Sequence, residues 1–459
     1  MTSHIAAWAL AHRQVVAAVA ILIVLCGAYA FHELDIIAYP DPSPPMVEVI
    51  SQNPALSAEE IERQITLPIE YALAAMPGLT SIRSISLFGL SDVRFYFDYD
   101  TDYIQDRQEV LTRLAFLTLP SGVQPKVSPW WALAEVFRYQ LTASDRTLTE
   151  LKTIQDWQLN REFKRVTGVI DVTAFGGTTK EYHVELDPAL LFAYSLGVPD
   201  VVSAIQGSNA NAGGNYLTIG SQSLDIRGVG LIRTLTDIEN VVVAAKNGTP
   251  VLVKNLGSVT EGYRVRLGKV GINEDDDALE GVVLLMRGHQ SLPVIERVRE
   301  KIHELNDGKL PSGVEIKPIY DRGVLIHTTI ETIEHIVLTG IALVVLTLLV
   351  FIGNLRTALI VALVIPLSLF FTFIMMVTLG QSANLISLGA IDFGIIVDST
   401  LLMVENVFYQ LTRQREEDAA SIEEDVVQAA RDVGRPIVYA TVIIIIAFMP
   451  LFTMTGVPG

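Results

Sequence analysis

The chain has 459 residues, half of them apolar, and a formal charge of −18. That balance excludes a phosphate-binding surface for nucleic acid, which needs clustered Lys and Arg, and it fits a cation-handling protein only loosely, since most acidic surfaces are simply solvated. The single cysteine, Cys26, excludes a disulfide framework or a cysteine-based metal site within one copy.

In chain order, the first apolar run is Val15–Phe31, behind Arg13. Ala28-Tyr29-Ala30 resembles a signal-peptide cleavage site, but the chain returns to the membrane later, so an uncleaved first helix is expected. Residues from Asp35 to Glu334 have the mixed composition of an aqueous domain. Further runs at Ile336–Ile352, Thr357–Leu379, Leu385–Phe408 and Ile437–Thr455 are each near the ~20 residues that cross a bilayer core. Arg13, Arg356, Arg413, Arg415, Arg431 and Arg435 fall on one side, and the opposite loop Gly380–Asn384 has no basic residue. The positive-inside rule then puts the amino terminus in the cytoplasm and residues 32–334 outside. Between the last two runs, Ser421–Val433 carries apolar residues at helical spacing and predicts an amphipathic helix along the cytoplasmic face.

The outer domain repeats itself. Leu-Pro-Ser-Gly-Val occurs at Leu119–Val123 and at Leu310–Val314, each after a helical stretch (Gln105–Leu117, Leu292–Leu305) and before a strand-like run. Gly78-Leu79, Phe88-Gly89 and the strand ending Phe97-Asp98 correspond to Gly168-Val169, Phe175-Gly176 and the strand ending Leu186-Asp187. Each unit therefore reads as strand–helix–strand–strand–helix–strand, a ferredoxin-like split βαβ. The first has strands near Met46–Ser51, Ser81–Leu87, Asp92–Asp98 and Lys126–Trp130, with helices Ala58–Ala75 and Asp102–Leu117. In the second, an insertion of about Gly207–Asn273, rich in Gly, Asn and β-branched residues, is expected to be a β-rich subdomain after the second helix. The fold class is thus an α-helical transmembrane bundle plus an α+β outer domain of two such units.

The sharpest chemical signal is Gly389–Asn406 (GAIDFGIIVDSTLLMVEN), which puts Asp392 and Asp398 inside an apolar run and Glu405 near its end. A charge at bilayer depth costs ~2.5–3.5 kcal/mol even on the lenient insertion scale. Asp398 and Glu405, seven residues apart, share one helix face, whereas Asp392 is rotated ~120° away. No Lys or Arg stands within the four later runs. These acids must then bind protons, bind cations, or pair with groups elsewhere, and a burial-raised carboxylate can carry a proton across.

Other constellations are weaker. His327, Glu331 and His335, spaced by four, could chelate zinc from one helix face, against the plainer reading of a polar interfacial face. Glu274–Asp277 (EDDD) reads as a solvated loop, Trp130, Trp131 and Trp157 as packing residues, and Asn209–Gly214 as loop chemistry without the lysine of a phosphate cradle. There is no nucleophile–base set and no nucleotide motif, so ATP-driven transport, enzymatic catalysis and a cofactor are not expected.

Several stretches together resemble the resistance–nodulation–division superfamily, and within it the heavy-metal efflux branch of the cobalt–zinc–cadmium type. They are ELDIIAYPD at Glu33–Asp41, RQITLPIEYALAAMPGLTSIRS at Arg63–Ser84, FGLSDVRFYFDYDTD at Phe88–Asp102, the acidic run, and GRPIVYATVIIIIAFMPLFTMTGVPG at Gly434–Gly459. The resemblance covers the whole chain but only the first half of such a pump. It implies a first transmembrane helix (1–34), a first pore subdomain (35–132), and a second (133–182 and 272–330) interrupted by a docking subdomain (183–271). Helices 2–4 (331–411), a cytoplasmic amphipathic helix (412–435) and a fifth span (436–459) follow.

By the same resemblance Asp392, Asp398 and Glu405 match the proton-relay acids, and the protein is a homotrimer working with a periplasmic adaptor and an outer-membrane channel. Asp392 in its DFG context is similar to the branch handling divalent cations such as zinc, cobalt, cadmium or nickel. Met403 is present, but Ile396 stands two before Asp398 and speaks against a full methionine relay. The principal metal-binding positions are expected in the other half. The expected function is proton-driven efflux of these cations across a bacterial inner membrane. The alternatives are proton-coupled efflux of organic compounds, and a membrane-anchored sensor, which the mid-membrane acids disfavour.

Overall fold

The computed structural model describes residues 2–37, 43–120, 122–246, 248–266, 268–384, 393–413 and 422–450. The chain opens with helices α1 (Thr2–Ala11) and α2 (Arg13–Glu33), followed by a two-residue strand β1 (Ile36–Ile37). An outer unit then runs β2 (Met46–Gln52), α3 (58–73), β3 (Leu79–Leu87), β4 (Leu90–Phe97), α4 (Tyr103–Ala115) and β5 (Lys126–Val127).

Each element of this unit has a local cause. Ser57 and Glu60 form a reciprocal capping box that starts α3, and Asp102 caps α4 by accepting from the Ile104 and Gln105 amides. Ile61, Ile65, Ile69 and Leu73 then lie on one helix face, and all four are fully buried. They meet Val93, Phe95 and Phe97, the alternate residues of β4. The sheet order is β3-β4-β2-β5, every neighbour antiparallel.

The second unit begins with β6 (Glu135–Ala143), α5 (148–164, capped by a Thr147–Glu150 box) and β7 (Val169–Gly176). The chain then leaves the sheet through β8 (Lys180–Leu186), α6 (Pro188–Tyr194), α7 (Val198–Ser208), the hairpin β9 (Ala212–Ile219) and β10 (Gln222–Gly228), α8 (Leu235–Glu239), β11 (Val242–Lys246), β12 (Thr249–Leu252), β13 (Gly257–Tyr263) and β14 (Val270–Ile272). It returns in β15 (Asp275–Leu285), α9 (Ser291–Glu304) and β16 (Val314–Asp321). Four strands of this sheet pair as β7-β15-β6-β16, with β14 against the start of β15. That is the order of the first unit repeated.

This topology corrects the expected place of the insertion. The strand ending at Leu186 is not the third strand of the unit: β8 pairs with β13 over seven residues in a separate ribbon, and β15 takes the third place. The excursion therefore begins between the second and third strands, not after the second helix. Gly89 and Gly176 show the physical reason, since both adopt positive φ (+72° and +76°) at the end of the second strand. In the first unit that turn leads straight into β4. In the second, a Cβ on Gly176 would stand 2.2 Å from the Ala278 carbonyl oxygen, so the turn is pressed against β15 while the chain itself departs. The excursion has its own core, centred on Leu191, Val201, Ile238, Val251 and Leu256.

Inside the second unit Tyr139, fully buried, donates from its hydroxyl to Gln155 Oε1 at 2.9 Å, and Gln155 Nε2 donates to Asn160 Oδ1 at 2.8 Å. Burial pushes the Tyr139 phenol above its usual value. Tyr139→Phe strands the buried Gln155 oxygen, so it should cost about 1–3 kcal/mol and lower the denaturant midpoint; an unchanged midpoint would show the bond contributes nothing.

Among the described residues three helices are long and apolar enough to cross a membrane: α2, α10 (Arg322–Ile352), and a third that breaks at Leu363 into α11 (Leu355–Ala362) and α12 (Val364–Thr378); the described parts of the expected spans Leu385–Phe408 and Ile437–Thr455 are not among them. Pro366 lacks the amide that would bond the Ala362 carbonyl, which accounts for the break. The 31 residues of α10 extend ~46 Å, so the helix begins well above the expected span at Ile336. A short strand β17 (Ala383–Asn384) follows, then α13 (Phe393–Arg413) and α14 (Ile422–Phe448). The expected separate amphipathic helix and fifth span are thus one helix, with Pro436 inside it. One proline removes a single helical bond, and the remaining bonds of this 27-residue helix carry it through. Residues 385–392, 414–421 and 451–459 of the expected segments lie outside the described residues.

Candidate functional site

Helix α13 presents two faces. Val397, Leu401 and Val404, at helical spacing, pack into the membrane core with Leu348, Ala358, Val361 and Ile365. Asp398, Leu402, Glu405 and Tyr409 form the neighbouring stripe, and all four are exposed on this chain. Asp398 and Glu405 are thus brought onto one face, about 10 Å apart along the axis. Asp392, the third expected relay acid, lies outside the described residues. Among the described residues no hydrogen bond or ion pair engages the Asp398 or Glu405 carboxylate. The inner part of α13 is instead tied to α14 by Asn406 Nδ2 donating to the Ala429 carbonyl at 3.0 Å and Gln410 Nε2 donating to Asp432 Oδ2 at 2.8 Å.

His327, Glu331 and His335 all lie on the outer extension of α10, exposed and successive by one turn. Among the described residues no group of three or more His, Cys, Asp or Glu is gathered closely enough to hold a metal ion. The three therefore form a line along the helix, with no metal-holding cluster completed by another element among the described residues.

Sequence reasoning did not find the cleft between the two outer units. It encloses about 900 Å³, and its walls carry Glu48, Asp92 and Arg94 from one sheet and Glu135 and Asp171 from the other. Arg94 donates to Glu48 Oε1 at 3.0 Å and to Asp92 Oδ2 at 2.7 Å. Asp171 pairs with Lys164 at 2.7 Å, and Arg138 bridges Glu135 and Glu280. Burial first, and the Glu48 charge second, hold the Asp92 carboxyl above its usual range, with Arg94 opposing them. The available signal was Glu48 itself, a carboxylate amid the apolar residues of β2 that the fold buries.

A second cavity of about 930 Å³ lies where the outer domain meets the membrane helices, lined among others by Asp35, Trp131, Arg287, His289, Arg322 and Val377. Burial raises the Asp35 carboxyl. An acid whose folded value is raised destabilises the fold where it is ionised, and that cost disappears as pH falls toward its ordinary value. Asp35→Asn should therefore raise the thermal midpoint at pH 7.5, with the gain closing at pH 4. A gain that grew on acidification would contradict this.

A family model described as the AcrB/AcrD/AcrF family matches residues 5–459. Protein HelA of Legionella pneumophila is 38% identical over all of this chain and 45% of its own length. The cobalt-zinc-cadmium resistance protein CzcA of Cupriavidus metallidurans is 35% identical over 94% of the chain and 42% of its own. The cation efflux system protein CusA of Escherichia coli is 31% identical, covering 98% and 44%. A solved structure described as a heavy metal efflux pump superposes with a TM-score of 0.90 at 38% identity, over 99% of this chain and 45% of that one. The chain thus spans a little under half the length of these relatives.

Proposed function

The chain belongs to the AcrB/AcrD/AcrF family of resistance–nodulation–division transporters, and from that premise we propose that it forms the first half of a proton-driven exporter of divalent heavy-metal cations. The observation that carries the proton coupling is the Asp398–Glu405 stripe: two carboxylates on one face of α13, a helix packed against the apolar spans, exposed on this chain and without a cationic partner among its described residues. Carboxylates at bilayer depth exist at a cost that only a function, a pairing or a wet cavity offsets. In a protein twice this length the open stripe is covered by the remaining helices, which supply its counter-charges. Asp398 carries the proton, with Glu405 and Asp392 completing the relay.

The repeated outer units are read as two ferredoxin-like pore subdomains, and the excursion between β7 and β15 as a docking subdomain. The cleft, whose walls mix Glu48, Asp92, Glu135 and Asp171 with Arg94 and Lys126, gives a cation an aqueous route on the outer side. The substrate class rests on relatives whose names specify cobalt, zinc, cadmium and other cations. Assembly as an inner-membrane homotrimer with a periplasmic adaptor and an outer-membrane channel is part of the same proposal.

The test is metal tolerance of cells lacking their own exporters and expressing the full-length gene product. Raised tolerance to zinc, cobalt or cadmium, with unchanged sensitivity to dyes and detergents, is expected. Protection against organic compounds alone would move the assignment to the organic-compound exporters.

A further inference from the structure

The membrane helices and the outer domain meet at a small parallel pair of strands. Ile36 and Ile37 of β1 lie beside Ala383 and Asn384 of β17, and the Ala383 amide donates to the Asp35 carbonyl at 2.9 Å. One strand directly follows the first membrane helix, and the other follows the third and precedes the acidic one. Ala383 is fully buried in the membrane core, in the same apolar cluster as Val397, Leu401 and Val404 of α13.

Ile36 packs against that cluster and also against the core of the second outer unit; among the described residues it is the one residue in both clusters, and it stands beside α10, whose Ile326 and Ile330 belong to the outer core and whose Ile333 and Val337 belong to the membrane cluster. Beside it, Gln290 at the start of α9 donates to the Glu33 carbonyl at the end of α2 (3.2 Å). The first outer unit has no such residue: among the described residues its core shares none with the membrane cluster.

We propose that the β1–β17 pair, with Ile36 as its positioning residue, is a tether that carries movement of the acidic helix to the second outer unit and not to the first. A tether of this kind stays formed through the transport cycle. The cleft between the units then changes width when α13 moves, because only one of its walls is held to the membrane core. Coupling of this sort requires an element whose state both sites bias, and the shared packing of Ile36 supplies it.

The inference rests on the proton-driven reading above, and the experiment separates the two. Metal and proton fluxes are measured together in vesicles containing the full-length pump. Ile36→Ala should lower metal flux about tenfold, within the usual range of coupling between sites, while proton entry persists, so that protons moved per metal ion rise. Asp35→Asn leaves the backbone pair intact and should keep the ratio unchanged.

As a second variant, Ile37→Cys with Asn384→Cys, in a Cys26→Ser background, joins neighbouring strands within ordinary disulfide reach. The oxidised protein should transport at the full rate, because the pair never opens. The tether is overturned if Ile36→Ala lowers both fluxes in proportion, or if oxidation stops transport and reduction restores it. An unaltered pump that moves metal without protons fails the parent reading instead, whatever the variants do.

Discussion

Replacing Asp398 by Asn in the full-length pump should lower proton-driven zinc flux about a hundredfold or more, the scale expected when a positioned proton-transfer group is removed, while the protein still folds. Both halves of that expectation come from the stripe on α13. The carboxylate makes no hydrogen bond or ion pair among the described residues, so the amide breaks none of their contacts. Val397 and Leu401, which hold the helix in the bundle, are untouched. Glu405→Gln, near the end of the apolar run Leu385–Phe408, should reduce flux less. Equal thermal midpoints for Asp398→Asn and the unaltered protein, together with lost flux, would place the defect in proton transfer. A flux unchanged by Asp398→Asn would remove the relay assignment.

The largest structural effect is expected at Gly27. A Cβ there would lie 2.2 Å from Phe370 Cβ and 2.8 Å from its Cα, so a side chain meets the backbone of α12 and not a movable tip. Around this crossing the Phe31 and Phe373 rings meet tilted by 39° with centroids 5.2 Å apart, and Ala30 is buried one turn away. Small residues let membrane helices approach this closely. Gly27→Leu forces α2 and α12 apart and should cost at least the ~1–3 kcal/mol of an overpacked core. Thermal unfolding in detergent should show a clear drop in midpoint, with little change for Ala28→Leu, whose side chain faces outward. Equal effects at the two positions would mean that the crossing is not the sensitive contact.

The tandem outer units were legible because their turns are chemically marked. Gly78 and Gly168, Gly89 and Gly176, and Gly122 and Gly313 are pairs at matching points of the repeat, and all six take positive φ. The place of the insertion was not legible. β8 (KEYHVEL) alternates as the third strand of a unit would, and nothing local tells a strand whether β6 or β13 is its neighbour. Ser421–Val433, apolar on one face, and Ile437–Thr455, apolar throughout, read as separate segments, but one helix with Pro436 inside it runs from the first into the second.

The acids of α13 were visible for a different reason: a carboxylate in an apolar run stands out at any register. The cleft was hidden because its carboxylates come from positions as distant as Glu48 and Asp171, which only the packing of two sheets brings together.

If proton entry drives cation export, as proposed, the two ions must move together. The most direct measurement loads full-length pump into vesicles with an imposed pH gradient and follows zinc and protons simultaneously. Zinc should move against its own gradient only while the pH gradient stands, with protons entering in step and both fluxes lost on its collapse. Zinc export that continues at the same rate after the gradient is abolished would contradict it.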